Sequence, residues 1–269
     1  MKLPQGIDRA SAQLRLDVTL PVYNEEKDLP KSCNKLVDFL KAKCPYDWRI
    51  IIADNASTDK TPEIAQSLAA GNPRLRYLRL ELKGRGRALR EAWLSSDADI
   101  VSYMDIDLST DLKSFMPMVS SIAHGEADIT IGTRFKKNSR VQRGLKREIL
   151  SRGFMALIKT FFPRSSFSDS QCGFKAAGRP AVQALVPHVK NQGWFFDTEM
   201  LLLADHDGYK IGEIPVRWVE DPDSRVRIVR TALEHSLGVL RMRLSFITGL
   251  ELREFYAHPI KPVKVEKMA

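Results

Sequence analysis

Short runs typical of β-strands alternate with amphipathic, helix-like segments along the first half of the chain, and this alternation restricts the fold more than any other feature. The runs that predict strands are 16–22, 49–53, 75–80, 100–104 and 129–132. The segments that predict helices are 27–43, 62–70, 85–95 and 112–123. Alternation of this kind is typical of a mostly parallel central sheet with flanking helices, so we predict an α/β fold.

The pattern changes after the fifth predicted strand, where a basic stretch is followed by an apolar, helix-like segment. A second α/β portion follows, and it ends with a predicted strand at 211–219 and a predicted long helix near 228–246. No stretch of the chain has the composition of a linker. We therefore predict a single domain over 1–269, with its core at about 16–225 and a helical extension at 226–269.

The composition limits both the class of protein and its partners. The 269 residues contain 42 Lys and Arg against 33 Asp and Glu, a formal charge of +9, and 43% are hydrophobic, which excludes a disordered or collagen-like chain. Three cysteines are too few, and odd in number, for a disulfide scaffold, which predicts reduced thiols and a cytoplasmic location. The positive charge suits a nucleic acid, an anionic membrane or a phosphate-bearing substrate.

Neither a secretory signal nor a membrane-spanning helix is expected from the sequence. The first 15 residues are polar and lack the apolar core of a signal peptide. Every apolar stretch is interrupted by a charged residue before it reaches the roughly 18 residues that a spanning helix needs.

Polar clusters follow three of the predicted strands. Tyr23 and Glu25 come after the first strand, Asp54 after the second and Asp105 after the fourth. Ligands of open α/β sheets bind beyond the carboxyl ends of the strands, so these clusters predict a site at one edge of the sheet. Asp54 is predicted to bind a ligand there, and the alternative for its cluster is helix capping by Asn55, Ser57 or Asp59.

The pair Asp105 and Asp107 is the sharpest chemical signal in the sequence. Residues i and i+2 of an extended segment point to the same side, so both carboxylates can face one hard cation. Two carboxylates together with substrate phosphates commonly hold Mg²⁺ or Mn²⁺. The alternative is a solvated turn, in which a short Asp-x-Asp pattern also occurs. We predict a Mg²⁺ or Mn²⁺ site.

The segment Lys83-Gly84-Arg85-Gly86-Arg87 opens a predicted helix directly after the third strand. Its glycine spacing and its position at a helix N-terminus predict backbone amides that face an anion, with basic side chains adding charge. It is neither a dinucleotide-binding fingerprint nor a P-loop, because the third glycine and the Gly-Lys-Ser/Thr element are missing. A solvated basic turn is the alternative.

Several motifs in a fixed order carry a family resemblance. They are Pro21-Val22-Tyr23-Asn24-Glu25, the segment 54–59, Gly84-Arg85-Gly86-Arg87-Ala88-Leu89, Asp105-Ile106-Asp107, Gly132-Thr133-Arg134, the segment 169–175 with Gln-Cys-Gly-Phe-Lys, and the segment 194–199 with Phe-Asp-Thr-Glu. Together, over roughly residues 16–245, they resemble the family 2 glycosyltransferases of the GT-A fold, which is Rossmann-like. The last two motifs look most like those of the dolichyl-phosphate β-glucosyltransferases, a type of polyprenyl-phosphate sugar transferase.

The resemblance implies roles for individual residues. The positions that match nucleotide-sugar contacts are Pro21, Tyr23, Glu25, Asp54, Asp105, Ile106, Asp107 and Arg225, and among them Asp105 and Asp107 match the metal motif. Arg225 stands where relatives carry lysine, which keeps the charge but changes the hydrogen-bond geometry. Arg134 matches an arginine near the donor or acceptor phosphates. Lys83, Arg134 and Arg225 are expected to stabilise the remaining negative charge of the leaving group.

The expected reaction is inverting transfer of a hexose, with UDP-glucose as donor and a polyprenyl or dolichyl phosphate as acceptor. A lipid phosphate is already anionic at neutral pH, so positioning would dominate catalysis. A hydroxyl acceptor would need a carboxylate base instead. Asp197 is the candidate base by family position, and Asp169 is a second candidate. Asp197 is equally well explained as a helix N-cap.

Other functions remain open at this point. The donor could be GDP-mannose, or the acceptor a saccharide hydroxyl. A different class of protein, a non-catalytic module that binds a membrane surface or RNA, would also suit the positive charge. The few aromatic residues are not interleaved with basic ones as RNA-stacking surfaces require, so no nucleic-acid partner is expected.

The excess charge lies in one segment, 134–164, which contains ten basic residues and a single acid, Glu148. Within it an apolar stripe at helical spacing consists of Leu150, Phe154, Leu157, Ile158 and Phe161. A basic flank beside an apolar stripe predicts an interfacial helix, and the alternative is a stripe that packs on the sheet. The residues expected to bind the lipid acceptor are Arg134, Lys136, Lys137, Arg140, Phe154 and Ile158. We therefore expect peripheral association with the cytoplasmic face of an anionic membrane, with a separate anchoring protein as a further candidate partner.

Overall fold

The computed structural model describes residues 13–220 and 228–249. Its strands are β1 (Arg15–Val22), β2 (Asp47–Asn55), β3 (Leu75–Leu80), β4 (Ile100–Met104), β5 (Ile129–Thr133), β6 (Arg140–Gln142), β7 (Phe174–Gly178), β8 (Ile211–Pro215) and β9 (Arg217–Val219). Its helices are α1 (Leu29–Lys43), α2 (Thr61–Gly71), α3 (Arg85–Leu94), α4 (Phe115–Ala123), α5 (Leu145–Phe161), α6 (Arg179–Leu185), α7 (Phe196–His206) and α8 (Ile228–Thr248).

Seven strands form the central sheet in the order β3-β2-β1-β4-β7-β5-β8. All neighbours pair in parallel except β7, which lies antiparallel to both β4 and β5. A second, two-stranded sheet consists of β6 and β9. This arrangement confirms the predicted α/β class with a mostly parallel sheet.

The five strands predicted in the first half are all present, with bounds that differ by at most a few residues. The strand predicted at 211–219 is wrong as a single element, because it divides into β8 and β9 at Val216. Pro215 has no N–H with which to continue a ladder. The Val216 carbonyl accepts from the N–H of Arg140, so the chain leaves the large sheet and enters the small one there.

Helices cover both faces of the sheet, and the strands alternate between the two cores as a period of two requires. Ile50 and Ile52 of β2 lie in the core that includes α1, α2 and α4. Ile51 and Ala53 lie in the opposite core, with α3 and α5 to α8. A sheet buried on both sides explains why its strands are apolar runs rather than alternating ones.

The apolar stripe predicted on the basic segment lies on α5, and all of it except the exposed Leu150 faces the protein. Ile158 is fully buried, and Phe154, Leu157 and Phe161 are half-buried against the same core. The predicted lipid contact of Phe154 and Ile158 is therefore wrong, and the alternative of a stripe packed on the domain is correct. Periodicity identified the residues that share a face but not the partner of that face.

The partner of this face is in part α8. The rings of Phe154 and His235 lie 5.0 Å apart, and those of Phe162 and Phe246 lie 5.6 Å apart. Val239 of α8 is completely buried. The contacts advance in the same direction along both helices, so α5 and α8 run side by side. None of the helices described in residues 13–220 and 228–249 is long and apolar enough to cross a membrane.

The two leucines Leu20 and Leu82 provide a test of the core. Leu20, in the middle of β1, is 0% exposed, whereas Leu82 is 63% exposed. We expect Leu20→Ala to lower the free energy of unfolding by about 2–5 kcal/mol, because it removes buried methyl groups and leaves a cavity. Leu82→Ala is the control and should change it by less than about 0.5 kcal/mol. Urea titration followed by circular dichroism measures both, and equal effects would contradict the assigned core.

Candidate active site

The predicted site lies where three neighbouring strands end. In the sheet, β2, β1 and β4 are adjacent and parallel, so their carboxyl ends share one edge. The loops after β1 and β2 are joined there, since the Asn24 N–H donates to Ser57 Oγ at 2.9 Å and the Glu25 N–H to Thr61 Oγ1 at 2.8 Å. The sequence prediction that these clusters meet at one edge is confirmed.

Asp54 lies completely buried beneath this edge. Its Oδ1 accepts from the Ser57 N–H at 2.9 Å, and its Oδ2 accepts from the Tyr77 hydroxyl at 2.8 Å and from Arg79 Nη1 at 3.0 Å. These bonds shape the turn that follows β2 and cap no helix, because α2 begins only at Thr61. A ligand-binding role of Asp54 stays a prediction. Nearer the surface, Lys83 Nζ lies 3.2 Å from the ring centroid of Tyr23, a cation–π contact between two predicted donor-binding residues.

The loop that opens α3 is tied to the protein through its backbone. The Gly84 N–H donates to Asn55 Oδ1. The Gly86 N–H donates to the Gly193 carbonyl at 3.2 Å, and the Arg87 N–H to the Gln192 carbonyl at 3.1 Å. The prediction that this row of amides faces an anion is wrong, because these three donate to protein oxygens.

Arg85, the first residue of α3, connects two of the predicted site carboxylates. Its Nη2 lies 2.7 Å from Asp105 Oδ1, and its Nη1 lies 2.8 Å from Asp197 Oδ2. Burial opposes the charge on Arg85, but Asp105, Tyr103 and Asp197 outweigh it and hold its pKa well above the ordinary value. The guanidinium is thus a permanent positive charge between the two carboxylates.

Asp197 lies in a buried group of ionisable side chains. Its Oδ1 accepts from the Tyr103 hydroxyl at 2.6 Å and lies 3.7 Å from Lys175 Nζ. Burial alone would raise the pKa of Asp197, but the charges of Lys175 and Arg85 and the Tyr103 hydrogen bond outweigh burial and lower it below the ordinary 3.8. Asp197 is therefore an anion at neutral pH.

The N-cap alternative for Asp197 is wrong. The N-cap position of α7 is Phe195, and Asp197 is the second residue inside the helix. Its side chain is directed to the Arg85 and Tyr103 contacts instead of back to the first amides.

Asp105 and Asp107 lie in a turn and not in an extended segment. β4 ends at Met104, and the Leu108 N–H donates to the Asp105 carbonyl at 3.1 Å, with Leu108 at a φ of 49°. The prediction that an extended segment points both carboxylates to the same side is therefore wrong, although both side chains are accessible. Ile106, between them, is buried.

Gly173 provides the space that Asp105 occupies. The Asp105 N–H donates to the Gly173 carbonyl at 3.1 Å, next to the pairing of Met104 with Phe174. A Cβ on residue 173 would lie 1.7 Å from Asp105 Oδ2, which is impossible without movement of one of them. This close approach explains the glycine of the Gln-Cys-Gly-Phe-Lys motif.

The donor set of Asp105 and Asp107 fits a divalent cation bound together with a diphosphate. Among residues 13–220 and 228–249 no group of three or more His, Cys, Asp and Glu could hold a metal by itself. Mg²⁺ and its analogues are commonly held by one or two carboxylates, with substrate phosphates and water as the other ligands. The Asp105 side chain is 42% exposed and can reach such a ligand.

Arg134 and Asp169 form a closed pair. Arg134 Nε lies 2.7 Å from Asp169 Oδ2 and Nη2 lies 2.9 Å from Oδ1, and the Arg134 N–H also donates to Oδ2. Burial would raise the pKa of Asp169, but Arg134 outweighs burial and lowers it. The Asp169 carboxylate is fully buried, and both of its oxygens bind Arg134. It therefore positions that arginine, and catalysis by Asp169 stays a prediction.

The basic segment is partly neutralised by acids from elsewhere in the chain. Lys136 Nζ lies 3.2 Å from Glu213 Oε2, and Arg147 Nε lies 2.8 Å from Glu220 Oε1. Lys137 and Arg140 are exposed. Arg225 lies outside the described residues, so its predicted role stays a prediction.

Sequence reasoning did not assign roles to Tyr103 and Lys175 and did not foresee the bridging position of Arg85. A signal for Lys175 existed, since a lysine within the apolar run Phe174–Gly178 must find a partner when the strand is buried. Tyr103 gave no comparable signal, because tyrosine is common in β-strands and usually packs there as part of the core.

Comparison with known families identifies the group to which this chain belongs. The family model described as glycosyl transferase family 2 matches residues 17–177. The chain belongs to glycosyl transferase family 2. The predicted class, a nucleotide-sugar-dependent glycosyltransferase, is thereby confirmed.

Several family 2 relatives resemble the chain over most of its length. It is 36% identical to glycosyltransferase AglD of Haloferax volcanii over 86% of this chain, and it spans 37% of that relative's length. It is 30% identical to dolichyl-phosphate beta-glucosyltransferase ALG5A of Trichomonas vaginalis, over 89% of this chain and 79% of the relative. The Saccharomyces cerevisiae dolichyl-phosphate beta-glucosyltransferase is 27% identical, over 88% of this chain and 77% of the relative. These matches confirm the resemblance seen in the motifs.

The fold of this family 2 chain also matches solved structures. Glucosyl-3-phosphoglycerate synthase from Mycobacterium tuberculosis, in complex with Mn²⁺, UDP and glucosyl-3-phosphoglycerate, superposes with a TM-score of 0.63. The two are 19% identical, and the match covers 86% of this chain and 80% of the other. The likeness confirms the GT-A fold.

Gly173→Ala tests the contact with Asp105. We expect the variant to bind Mn²⁺ together with UDP at least about tenfold more weakly. The added Cβ must push the Asp105 carboxylate out of its position, and a misplacement of about 1 Å lowers the rate about 100-fold at other sites. Isothermal titration calorimetry measures the affinity. Gly71→Ala is the matched control, since nothing lies within 4 Å of its added Cβ. Wild-type affinity in a folded Gly173→Ala protein would show that Asp105 does not need this position.

Proposed function

We propose that this enzyme transfers glucose from UDP-glucose, with inversion, to a polyprenyl phosphate at a membrane surface, on its cytoplasmic face. The observation that carries the proposal is the state of Asp197, which is buried, anionic and hydrogen-bonded by Arg85 and Tyr103. The names of the relatives, dolichyl-phosphate beta-glucosyltransferases, support the same substrates.

An Asp197 of this kind suits an acceptor that is already ionised. A carboxylate whose pKa is lowered below its ordinary value is a poor proton acceptor for a neutral hydroxyl, whose own pKa is far higher. A phosphate oxygen needs no such help, since it carries its charge at neutral pH. In this proposal Asp197 fixes Arg85 and the acceptor site, and positioning supplies the rate.

On the donor side, the chain's own residues bind and orient the nucleotide diphosphate. Tyr23 and Lys83 lie together at the edge of the sheet, where they can contact the base and the phosphates. Asp105 and Asp107 would hold Mg²⁺ or Mn²⁺, which neutralises the leaving diphosphate when bound. The Mn²⁺ and UDP in the complex of the M. tuberculosis synthase support this assignment. Arg134, held by Asp169, is oriented to add positive charge at the phosphates.

A transfer assay tests donor and acceptor together. Purified protein with Mn²⁺ is incubated with radiolabelled UDP-glucose or GDP-mannose, and with a polyprenyl phosphate or the corresponding polyprenol. We expect label in lipid only with UDP-glucose and the phosphate, and a loss of at least about 100-fold in Asp107→Asn, since the cation stabilises the departing charge. Asp111→Asn, a nearby acid outside the proposed site, is the control. Transfer from GDP-mannose alone, or to the polyprenol, would contradict the proposal.

The pH dependence separates an acceptor phosphate from a catalytic base. The pKa of Asp197 is lowered from 3.8, so this group stays charged throughout the range in which a phosphate monoester takes up its second proton. A phosphate monoester takes up its second proton near pH 6, which weakens it as a nucleophile. We therefore expect kcat/KM for the acceptor to fall below about pH 6 and to be flat from pH 7 to 8. The same inflection with a hydroxyl acceptor would assign it to the enzyme and contradict this explanation.

A further inference from the structure

A row of large apolar side chains lies exposed on α8. It consists of Leu233, Leu237, Leu240, Leu244 and Ile247, which are between 42% and 65% exposed. Their spacings of four and three residues place them along one face of the helix. The opposite face holds the buried Val239 and Met242, so α8 already has its core contact, and this row is a second apolar face.

The outer face of α5 has a similar character. Leu145 is 81% exposed and Ile149 is 69% exposed, although the inner face of the same helix packs on the core. Lys146, Arg152 and Lys159 are exposed as well. Because α5 and α8 run side by side, two neighbouring helices each present apolar side chains to solvent. We call the exposed residues named here on both helices the α5–α8 surface.

The charges on this surface are of one sign. On α8, Arg243 is exposed, whereas Glu234 is half-buried and within 3.3 Å of Asn191 Nδ2. On α5, Glu148 is engaged by Arg143 and Arg152. A second copy of this chain would bring like charges together, whereas anionic headgroups complement an apolar face with a basic rim.

We propose that the α5–α8 surface binds an anionic lipid membrane, with the apolar row of α8 inserted at the interface. Phe154 and Ile158, the residues predicted to contact lipid, face the core instead. The α5–α8 surface takes their place as the proposed membrane contact. The proposal deepens the proposed function. It rests on that function only in one respect, namely that membrane binding brings the site to an acceptor carried by a lipid.

Polar contacts connect the other side chains of α8, behind this surface, to the candidate active site. Arg241 of α8 lies 2.7 Å from Glu199, two residues beyond Asp197, and His235 lies 2.8 Å from Gln171, two residues before Gly173. Glu234 contacts Asn191, in the loop whose carbonyls hold the start of α3. A membrane bound at α8 therefore lies next to the elements that carry Asp197, Asp105 and Arg85.

Vesicle flotation of the full chain tests the surface without donor or acceptor, so a failure of the proposed function would leave its outcome unaffected. The vesicles are phosphatidylcholine alone, or phosphatidylcholine with about 30% phosphatidylglycerol, a content chosen to give a strong surface charge. We expect binding to the anionic vesicles, and at least tenfold weaker binding for the double variant Leu237→Ser and Leu244→Ser. The control pair Leu82→Ser and Val219→Ser removes exposed apolar side chains elsewhere and should bind within twofold of wild type.

A charge variant, Lys146→Gln with Arg243→Gln, should lose affinity for anionic vesicles in low salt. Its thermal midpoint and that of the serine variant should match wild type, since the altered side chains are exposed. Absence of wild-type binding, or a serine variant that binds within twofold, would overturn the proposal. Light scattering tests whether a second copy of the chain occupies the row instead. If the wild type is a dimer and the serine variant is a monomer with unchanged vesicle binding, the row is a dimer interface and the proposal is overturned.

Discussion

The buried guanidinium of Arg85 is the interaction on which the arrangement of the site depends. It lies between Asp105, after β4, and Asp197, inside α7, and hydrogen-bonds to both. Without it, the buried Asp197 carboxylate and the half-exposed Asp105 carboxylate would have no guanidinium between them, which is unfavourable for two like charges. Arg85 thus holds the turn after β4 and the first turn of α7 together. Its own backbone is fixed in turn, because the amides around it donate to the Gln192 and Gly193 carbonyls.

Charge compensation of this kind recurs through the molecule. Asp197 is surrounded by Lys175, Arg85 and Tyr103, and Asp169 is spent on Arg134. Asp169 and Asp197 each have a basic partner, so these two acids stay ionised although burial acts against their charge. The proposed chemistry follows from this. A site whose carboxylates are held as anions by fixed cations is organised for binding and orienting phosphates, and poorly suited to removing a proton from a neutral hydroxyl.

Local pattern was sufficient for much of the fold and for part of the site. Apolar runs and helix signals located the first five strands, and strand ends located Asp105, Asp107 and Asp54, because the carboxyl edge of a parallel sheet is fixed by topology. The inward direction of Arg85 was not predictable, since it depends on Asp197, 112 residues away. The stripe containing Phe154 and Ile158 was found by its period, but whether it met lipid or protein depended on α8 and the rest of the core. The amides of Gly84 and Gly86 looked free in sequence because their carbonyl and amide partners come from other loops.

The antiparallel insertion of β7 between β4 and β5 has a consequence for the assembly of the enzyme. β7 pairs with residues about 70 positions earlier in the chain, as in the register of Met104 with Phe174. It also supplies Lys175, and it places Gly173 against Asp105. Pairings between distant residues form slowly, because the intervening chain must be ordered first. On the ribosome, the parallel strands β1 to β4 can therefore pair before β7 has emerged. The cluster of Asp105, Arg85 and Asp197 must wait for the later elements that complete it, so an incomplete chain can be folded in part and still lack this cluster.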